Sequence, residues 1–198
     1  MAIYITGDTH GMTDLDKVKI WYEANKNRLK ETDILIICGD VCAPPFYGVP
    51  DSYNALNVFK TMHIQIAYID GNHENFEKLN ALPVEEWNGG KVHRLADNVV
   101  HLMRGQIFNI EDKKILCLGG ATSPDKYRRI EGLDYFREED IMTCDIDETL
   151  NNLKKVNNEV DIIITHTIGK EFIYKKMYNQ VQVHEAYMGG INNFLDFI

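Results

Sequence analysis

The chain has 198 residues, of which 44% are hydrophobic and 26% charged, a composition typical of one soluble globular domain. Its net charge of −9 makes binding of long nucleic acids by overall charge unexpected, although bound divalent cations would reverse the potential at a phosphate site. No apolar stretch approaches the roughly 20 residues of a membrane helix, and no signal-type segment follows Met1, so we expect a cytoplasmic protein without membrane contacts.

Predicted strands and helices alternate over the early part of the chain. Helical periodicity marks residues 14–30, residues 51–62 with Asp51 or Ser52 as the cap, and residues 147–157. Runs of consecutive apolar residues predict strands buried on both faces, namely Ile3–Thr6, Ile34–Cys38, Ile66–Ile69, Ile115–Leu118 and Ile162–Ile164. The initial strand–helix order predicts parallel βαβ units.

The region from residue 91 to 118 has a different pattern. Strand-like stretches at residues 98–103, 106–110 and 114–118 are separated by very short breaks. Arg104-Gly105 and Glu111-Asp112-Lys113 are interpreted as hairpin turns, which would make this part antiparallel. The combination predicts an α/β fold with a mixed sheet, or with two mixed sheets packed face to face and flanked by helices.

Polar residues follow four of the predicted strands. In open α/β sheets, ligands bind beyond the carboxyl ends of the strands. Each residue alone has an ordinary explanation: Asp8 as a helix cap, Asp40 as a turn former, Asn72 as a left-handed residue and His166 as a core histidine. Gathered at one edge, carboxylates and imidazoles would be costly to bury unless positive charge satisfies them. The set comprises Asp8, His10, Asp40, Asn72, His73, Glu74 and His166.

The types of side chain in this set indicate which cations it would bind. Carboxylate, imidazole and amide oxygen without thiolate favour Mn²⁺, Fe or Zn²⁺. Cys38 and Cys42 could form half of a zinc site, but no second half lies nearby in the sequence. Asp40 is central and could bridge two cations, and a pair roughly 3.5–4 Å apart can share a hydroxide that attacks a phosphoester. The sequence therefore predicts hydrolysis of a phosphoester substrate.

Three motifs at these spacings resemble the calcineurin-like metallophosphoesterases, in particular small bacterial and phage-type members. They are Gly7-Asp8-Thr9-His10-Gly11, Gly39-Asp40 and Gly71-Asn72-His73-Glu74, and Thr165-His166 is similar to a fourth block. The resemblance implies two sheets sandwiched between helices. It also implies that Asp8 and His10 bind one metal, Asn72 and His166 the second, and Asp40 both. His73 would face the leaving group as general acid or charge stabiliser, and Glu74 would orient its neighbour without touching metal.

The sequence departs from this family in one respect. Members end in a Gly-His-x-His block that completes both metal sites, and no such block precedes Ile198. We therefore expect one domain over residues 1–198 that is incomplete at its C-terminus, with weak metal binding and low or absent activity. Truncation and ligands from a partner subunit are both open explanations. A non-catalytic protein-binding scaffold on the same fold is the alternative to an enzyme.

Other imidazole and guanidinium groups are interpreted as structural or surface residues. His63, His93 and His101 are expected to be surface or satisfied core histidines. Arg128 and Arg129 follow the Gly119-Gly120 loop and could reach a substrate phosphate, but solvated surface charge is the preferred interpretation. The sequence does not select between phosphomonoester and phosphodiester substrates, and it leaves the oligomeric state open.

Overall fold

The computed structural model of the chain describes residues 1–50 and 54–168. Over these ranges the strands are β1 (Ile3–Gly7), β2 (Ile34–Cys38), β3 (Gln65–Ile69), β4 (Val84–Trp87), β5 (Gly90–Ala96), β6 (Val99–Leu102), β7 (Gln106–Ile110), β8 (Lys113–Leu118) and β9 (Ile162–Thr165). The α-helices are α1 (Leu15–Asn25), α2 (Ala55–Phe59), α3 (Phe76–Asn80) and α4 (Thr143–Lys155). Short 3₁₀ helices occupy Lys126–Arg128 and Arg137–Glu139.

The strands form two sheets. The larger has the order β1-β2-β3-β6-β5-β4, in which β1, β2, β3 and β6 are parallel and β5 and β4 are antiparallel to their neighbours. The smaller has the order β7-β8-β9, with β7 antiparallel and β9 parallel to β8. The carboxyl ends of β1, β2 and β3 therefore meet at one edge, where ligand sites of α/β proteins form.

Apolar side chains fill the space between the sheets. One cluster joins Ile36 and Ile69 of the larger sheet to Phe108, Cys117 and Ile164 of the smaller. The other face of the larger sheet packs against α1 and α2, and α4 covers the outer face of the smaller sheet. Burial on both faces explains the uninterrupted apolar runs of β2 and β3. The same prediction is wrong for β1 and β9, which lie at sheet edges and leave Ile5 53% and Ile163 42% exposed. The predicted α/β sandwich of two mixed sheets flanked by helices is confirmed.

The chain passes from one sheet to the other between β6 and β7, so the hairpin predicted at Arg104-Gly105 is wrong. The Arg104 guanidinium is instead drawn inward by the carboxylates of Asp70 and Asp145. Gly105 adopts φ +70° and lies so close to α4 that an added Cβ would be 2.8 Å from the Thr149 nitrogen. The connection between β6 and β7 is short because it crosses from one sheet to the other where Gly105 packs closely against α4.

Hairpins join β4 to β5, β5 to β6 and β7 to β8 in the described residues. Glu111 and Asp112 have φ values of 51° and 58° and connect β7 to β8, as predicted. The β4–β5 hairpin was not predicted, although Asn88-Gly89, with φ values of 49° and 86°, is a sequence typical of a two-residue hairpin turn.

The helices differ from the predicted ranges at their ends. Helix α1 is shorter than residues 14–30, and α4 begins before residue 147, where an Asp145 carboxylate oxygen accepts the Met142 N–H at 2.9 Å. Asn54 caps α2, and the predicted caps Asp51 and Ser52 lie outside the described residues. None of the described helices has the length and apolar character needed to cross a bilayer.

Candidate metal centre

Two loop glycines allow the strand ends to come together. A Cβ on Gly71, which follows β3, would overlap Asp40 Oδ1 and lie 2.6 Å from the Asp40 nitrogen. A Cβ on Gly39, which follows β2, would lie 2.8 Å from Cγ of His166. The motifs that follow β2, β3 and β9 therefore need glycine at these two positions for close backbone approach, and Gly39 also has φ +97°.

Asp40 lies between two groups of ligand-type side chains. It is 1% exposed and has φ 54°, a left-handed conformation that Asp tolerates better than most residues. Its Oδ2 is 3.5 Å from His10 Nε2, and its Oδ1 is 3.6 Å from His166 Nε2. Each carboxylate oxygen thus faces a different histidine, which is the arrangement that a bridging ligand requires.

The first group contains Asp8 and His10, which follow β1. His10 Nε2 lies 3.0 Å from Asp8 Oδ1 as well as close to Asp40. Both side chains are nearly half exposed, at 46% and 45%, so this side of the centre is open to solvent and to a substrate. A cation here would be reached directly from outside.

The second group contains Asn72 and His166. His166 Nδ1 is 2.7 Å from the Cys38 carbonyl, an obligate acceptor, so Nδ1 carries the proton of the neutral ring. His166 Nε2 then presents a lone pair 3.2 Å from Asn72 Oδ1. Ser123 Oγ accepts the Asn72 amide N–H at 2.9 Å, which turns Oδ1 toward the histidine. Two acceptors therefore face each other, and a cation between them would satisfy both.

Glu74 holds the loops after β2 and β3 together. Its carboxylate is buried and accepts the N–H groups of Val41 and Cys42, each at 2.8 Å. Burial, and secondarily the Asp40 carboxylate, raise the pKa of Glu74, while the amide of Val41 acts in the opposite direction. Glu74 therefore fixes the backbone immediately after Asp40.

His73 borders the centre beside His10. Its backbone N–H donates to Asp40 Oδ1 at 2.8 Å, and its ring centroid is 5.1 Å from that of His10. Ligand atoms of His10, Asp40 and His73 all lie within 4.8 Å of one another. Burial lowers the pKa of His73, an effect that Asp40 opposes and Arg129 strengthens. The structure therefore brings together all seven residues selected from the sequence, although the role of each stays a prediction.

The donor set fits divalent cations of the Mn²⁺, Fe and Zn²⁺ class. It offers carboxylate, imidazole and amide oxygen. The acceptor atoms of Asn72 and His166, which face each other, also favour a cation between them. Cys42 lies nearby, but its thiol donates to the His73 carbonyl at 2.9 Å, and burial raises its pKa. Cys42 therefore behaves as a structural hydrogen-bond donor.

Three further residues at the site were not selected from the sequence. Ser123 orients Asn72 and donates in turn to the buried carboxyl of Glu139. Arg129, expected to be solvated, has a side chain only 11% exposed and contacts His73. Its neighbour Arg128 is exposed as expected. The sequence feature that could have indicated Ser123 and Arg129 is the Gly119 to Arg129 stretch, whose Gly-Gly, Ser and Arg residues follow β8.

The three other histidines within the described residues have structural partners, as expected. His63 lies 2.7 Å from the Tyr22 hydroxyl and 3.0 Å from the Leu29 carbonyl. His93 and His101 are buried, with their Nδ1 atoms 3.1 Å apart, and His101 Nε2 is 3.1 Å from an Asp70 carboxylate oxygen.

Two curated proteins and one family profile are similar in sequence to this chain. The lariat debranching enzyme of Schizosaccharomyces pombe is 27% identical over 191 residues, covering 84% of this chain and 36% of the relative. The lariat debranching enzyme of Danio rerio is 24% identical over 193 residues, covering 84% and 31%. The chain thus spans about a third of the length of these curated relatives. No solved structure matched significantly. The profile of the calcineurin-like phosphoesterases matches residues 1–187, and the chain belongs to that family.

Proposed function

We propose that this chain hydrolyses phosphoesters with two divalent cations held at the ends of β1, β2, β3 and β9. The observation that carries the proposal is the position of Asp40, whose two carboxylate oxygens face His10 and His166 at 3.5 and 3.6 Å. One cation would take Asp8, His10 and Asp40, and the other Asp40, Asn72 and His166. Three protein ligands for each cation leave positions open for water and substrate.

Cations in this place would supply a hydroxide nucleophile near neutral pH and neutralise charge on the phosphate oxygens. The protein's own residues do the rest. His73, beside the open side of the centre, would donate a proton or a hydrogen bond to the leaving oxygen. Its backbone N–H on Asp40 fixes its distance from the ligands. Glu74 and Ser123 keep Asp40 and Asn72 oriented, so that little reorganisation is needed when the substrate binds.

The proposal defines the substrate only as a phosphoester. Family membership supports a phosphoester, and the nearly half-exposed Asp8 and His10 leave room for one. Debranching of lariats, the activity for which both relatives are named, is a candidate, although the net charge of −9 makes long nucleic acids less expected. Mono- and diester substrates should therefore be tested together, with a lariat as the third.

The test is hydrolysis of p-nitrophenyl phosphate and bis(p-nitrophenyl) phosphate with added Mn²⁺, comparing the chain with Asp40→Asn. Loss of a bridging charge should lower kcat/KM by more than about 100-fold, beyond the usual effect of a residue that only orients a ligand. Asp147→Asn makes the same change on the exposed side of α4 and should leave the rate unchanged.

Equal rates in the Asp40 variant and the parent chain would contradict the proposal, as would activity that survives EDTA. Absence of turnover in every protein, with no Mn²⁺ bound in a calorimetric titration, would favour the scaffold alternative.

A further inference from the structure

A cavity separate from the candidate metal centre opens near the point where the chain crosses between the sheets. Its volume of about 410 Å³ is in the range of small-molecule sites. Among the residues that line it, Phe76, His93 of β5 and His101 of β6 are buried, whereas Met142 and Cys144 at the N-terminal end of α4 are exposed. None of the seven candidate metal-site residues lines it. The cavity therefore has a buried floor and an open rim of its own.

Buried hydrogen bonds fix the tautomers of the two histidines. Burial would raise the pKa of Asp70, but the Arg104 guanidinium overcomes this effect and lowers it, so Asp70 is a carboxylate and only accepts. His101 Nε2 lies 3.1 Å from Asp70 Oδ1, so Nε2 carries the proton of the neutral ring and Nδ1 is an acceptor. His93 Nδ1 lies 3.1 Å from that acceptor and must donate to it. The rings lie side by side, with planes 12° apart and centroids 5.3 Å apart.

The second ring nitrogen of His93 is then an acceptor without a partner among the described residues. Burial, followed by His101, lowers the pKa of His93 to about 4, so the ring is neutral near pH 7. Its proton is on Nδ1, which leaves a lone pair on Nε2. His93 is only 3% exposed. In the described ranges, however, the unpartnered side-chain atom that is sealed from solvent is Thr9 Oγ1, so His93 Nε2 retains contact with the cavity.

The charges around the cavity favour a cation over an anion. Four carboxylates and two cations line it, a net of −2, namely Asp70, Glu138, Asp145, Glu148, Lys91 and Arg104. Arg104 contacts both Asp70 and Asp145, at 2.6 and 3.1 Å. Lys91 Nζ lies 2.9 Å from Glu148 Oε1. Both cations that line the cavity are thus neutralised by carboxylates. A positively charged ligand with an N–H group matches the net charge and also the acceptor on His93.

We propose that this cavity binds a small protonated amine, which donates an N–H to His93 Nε2. The ring of Phe76 and the thioethers of Met103 and Met142 supply apolar contacts for its carbon skeleton. The hydrogen bonds that run to Asp70 orient the His93 lone pair before the ligand arrives, so binding orders few side chains. This site is independent of the metal centre, and its test needs no metal and no substrate.

The test uses the Cys144 thiol at the rim as a reporter, with benzylamine as the amine and benzoate as an anion of similar size. Cys144 is exposed, whereas burial raises the pKa values of Cys38, Cys42 and Cys117 and keeps these thiols unreactive. Benzylamine should slow alkylation of Cys144 by iodoacetamide at least about threefold, with a dissociation constant on the order of 1 mM. Benzoate should leave the rate unchanged. Cys144→Ser identifies the reporter, because it should remove the fast alkylation.

Substitutions of His93 test the hydrogen bond itself. His93→Asn keeps an amide near the position of Nδ1 but has no atom at that of Nε2, so benzylamine should bind about 10- to 100-fold more weakly. His93→Gln brings an amide oxygen close to the position of Nε2 and should lose about threefold or less. His63 bonds to the Tyr22 hydroxyl and does not line the cavity, so His63→Asn is the matched control and should bind as the parent chain does.

A Cys144 alkylation rate that does not respond to benzylamine would overturn the inference, and so would equal protection by benzoate. Equal benzylamine affinity in the His93→Asn variant and the parent chain would also overturn it. Thermal unfolding checks that each variant is folded. If His93→Asn does not fold, the comparison of benzylamine with benzoate on the parent chain still decides between a site for an amine and none.

Discussion

At the scale of single residues, Gly71 is the position where the site tolerates the least change. A Cβ there would overlap the Asp40 carboxylate, so Gly71→Ala must displace the proposed bridging ligand. We expect Mn²⁺ affinity to fall by at least about tenfold, since even residues that only orient ligands have effects of this size. Calorimetric titration of metal into the two proteins measures the change.

Gly7→Ala is the matched control for that substitution. Gly7 ends β1 beside Asp8, and a Cβ added to it would meet nothing within 4 Å. Its metal affinity should match that of the parent chain. If the two alanine variants bind Mn²⁺ equally well, the close approach of the β3 loop to Asp40 does not define the site.

The grouping of the candidate ligands could be predicted because each follows an apolar strand, and parallel strands place their carboxyl ends at one edge. That rule, together with the neighbouring glycines, accounts for the positions of Asp8, Asp40 and Asn72. Ser123 and Arg129 could not be predicted in the same way. They lie in a long loop after β8, and nothing local in the sequence specifies that this loop returns to Asn72 and His73.

At the scale of secondary structure, α4 is attached to the smaller sheet by one apolar stripe. Leu153 is 6% exposed and packs with Ile107 and Leu116, whereas Leu150 on the same helix is 39% exposed. Leu153→Ala should reduce the free energy of unfolding by about 2–5 kcal/mol through lost burial and a cavity. Leu150→Ala should cost less than about 1 kcal/mol.

Urea unfolding of both variants provides the measurement, with the midpoint compared at constant m-value. Similar losses from the two substitutions would mean that the helix does not pack on the sheet through Leu153. The helical spacing of Leu150, Leu153 and Val156 predicted the helix correctly, but it could not indicate which leucine faces the sheet.

The hairpin that was wrongly predicted at Arg104-Gly105 has a cause that lies far away in the sequence. Arg104-Gly105 and Glu111-Asp112 both lie between short β-rich runs, and only the second is a hairpin. The first becomes a crossing between sheets because Arg104 pairs with Asp70 and Asp145, residues 34 and 41 positions away. Turn chemistry is local, whereas the choice of sheet depends on contacts that are distant in sequence.

At the scale of the whole molecule, a chain of buried polar groups connects His93, His101, Asp70 and Arg104. Burial, followed by the neighbouring His101, lowers the pKa of His93 to about 4. An unfolded histidine titrates near 6.5, so between these values the unfolded state binds more protons than the folded state. The free energy of unfolding should therefore keep its full His93 contribution above about pH 6.5 and decrease as the pH falls toward 4.

The expected contribution of His93 is about 1–3 kcal/mol across that range. Unfolding free energies of the metal-free chain at several pH values would reveal it. His93→Gln removes the titrating group, and its stability should vary less steeply between pH 6.5 and 4 than that of the parent chain. Parallel curves for the two proteins would show that His93 is not the source of the acid sensitivity.

The proposed ligands of the candidate metal centre come from loops as far apart in sequence as Asp8 and His166, and from both sheets. An unfolded chain cannot hold these side chains together, so a cation that needs all of them binds the folded state alone. By mass action, free metal at about 100 times its dissociation constant would add about 2.7 kcal/mol to the stability of the whole fold. The melting temperature would then rise with metal concentration. Bound metal would therefore stabilise the packing of the two sheets in addition to its proposed part in catalysis.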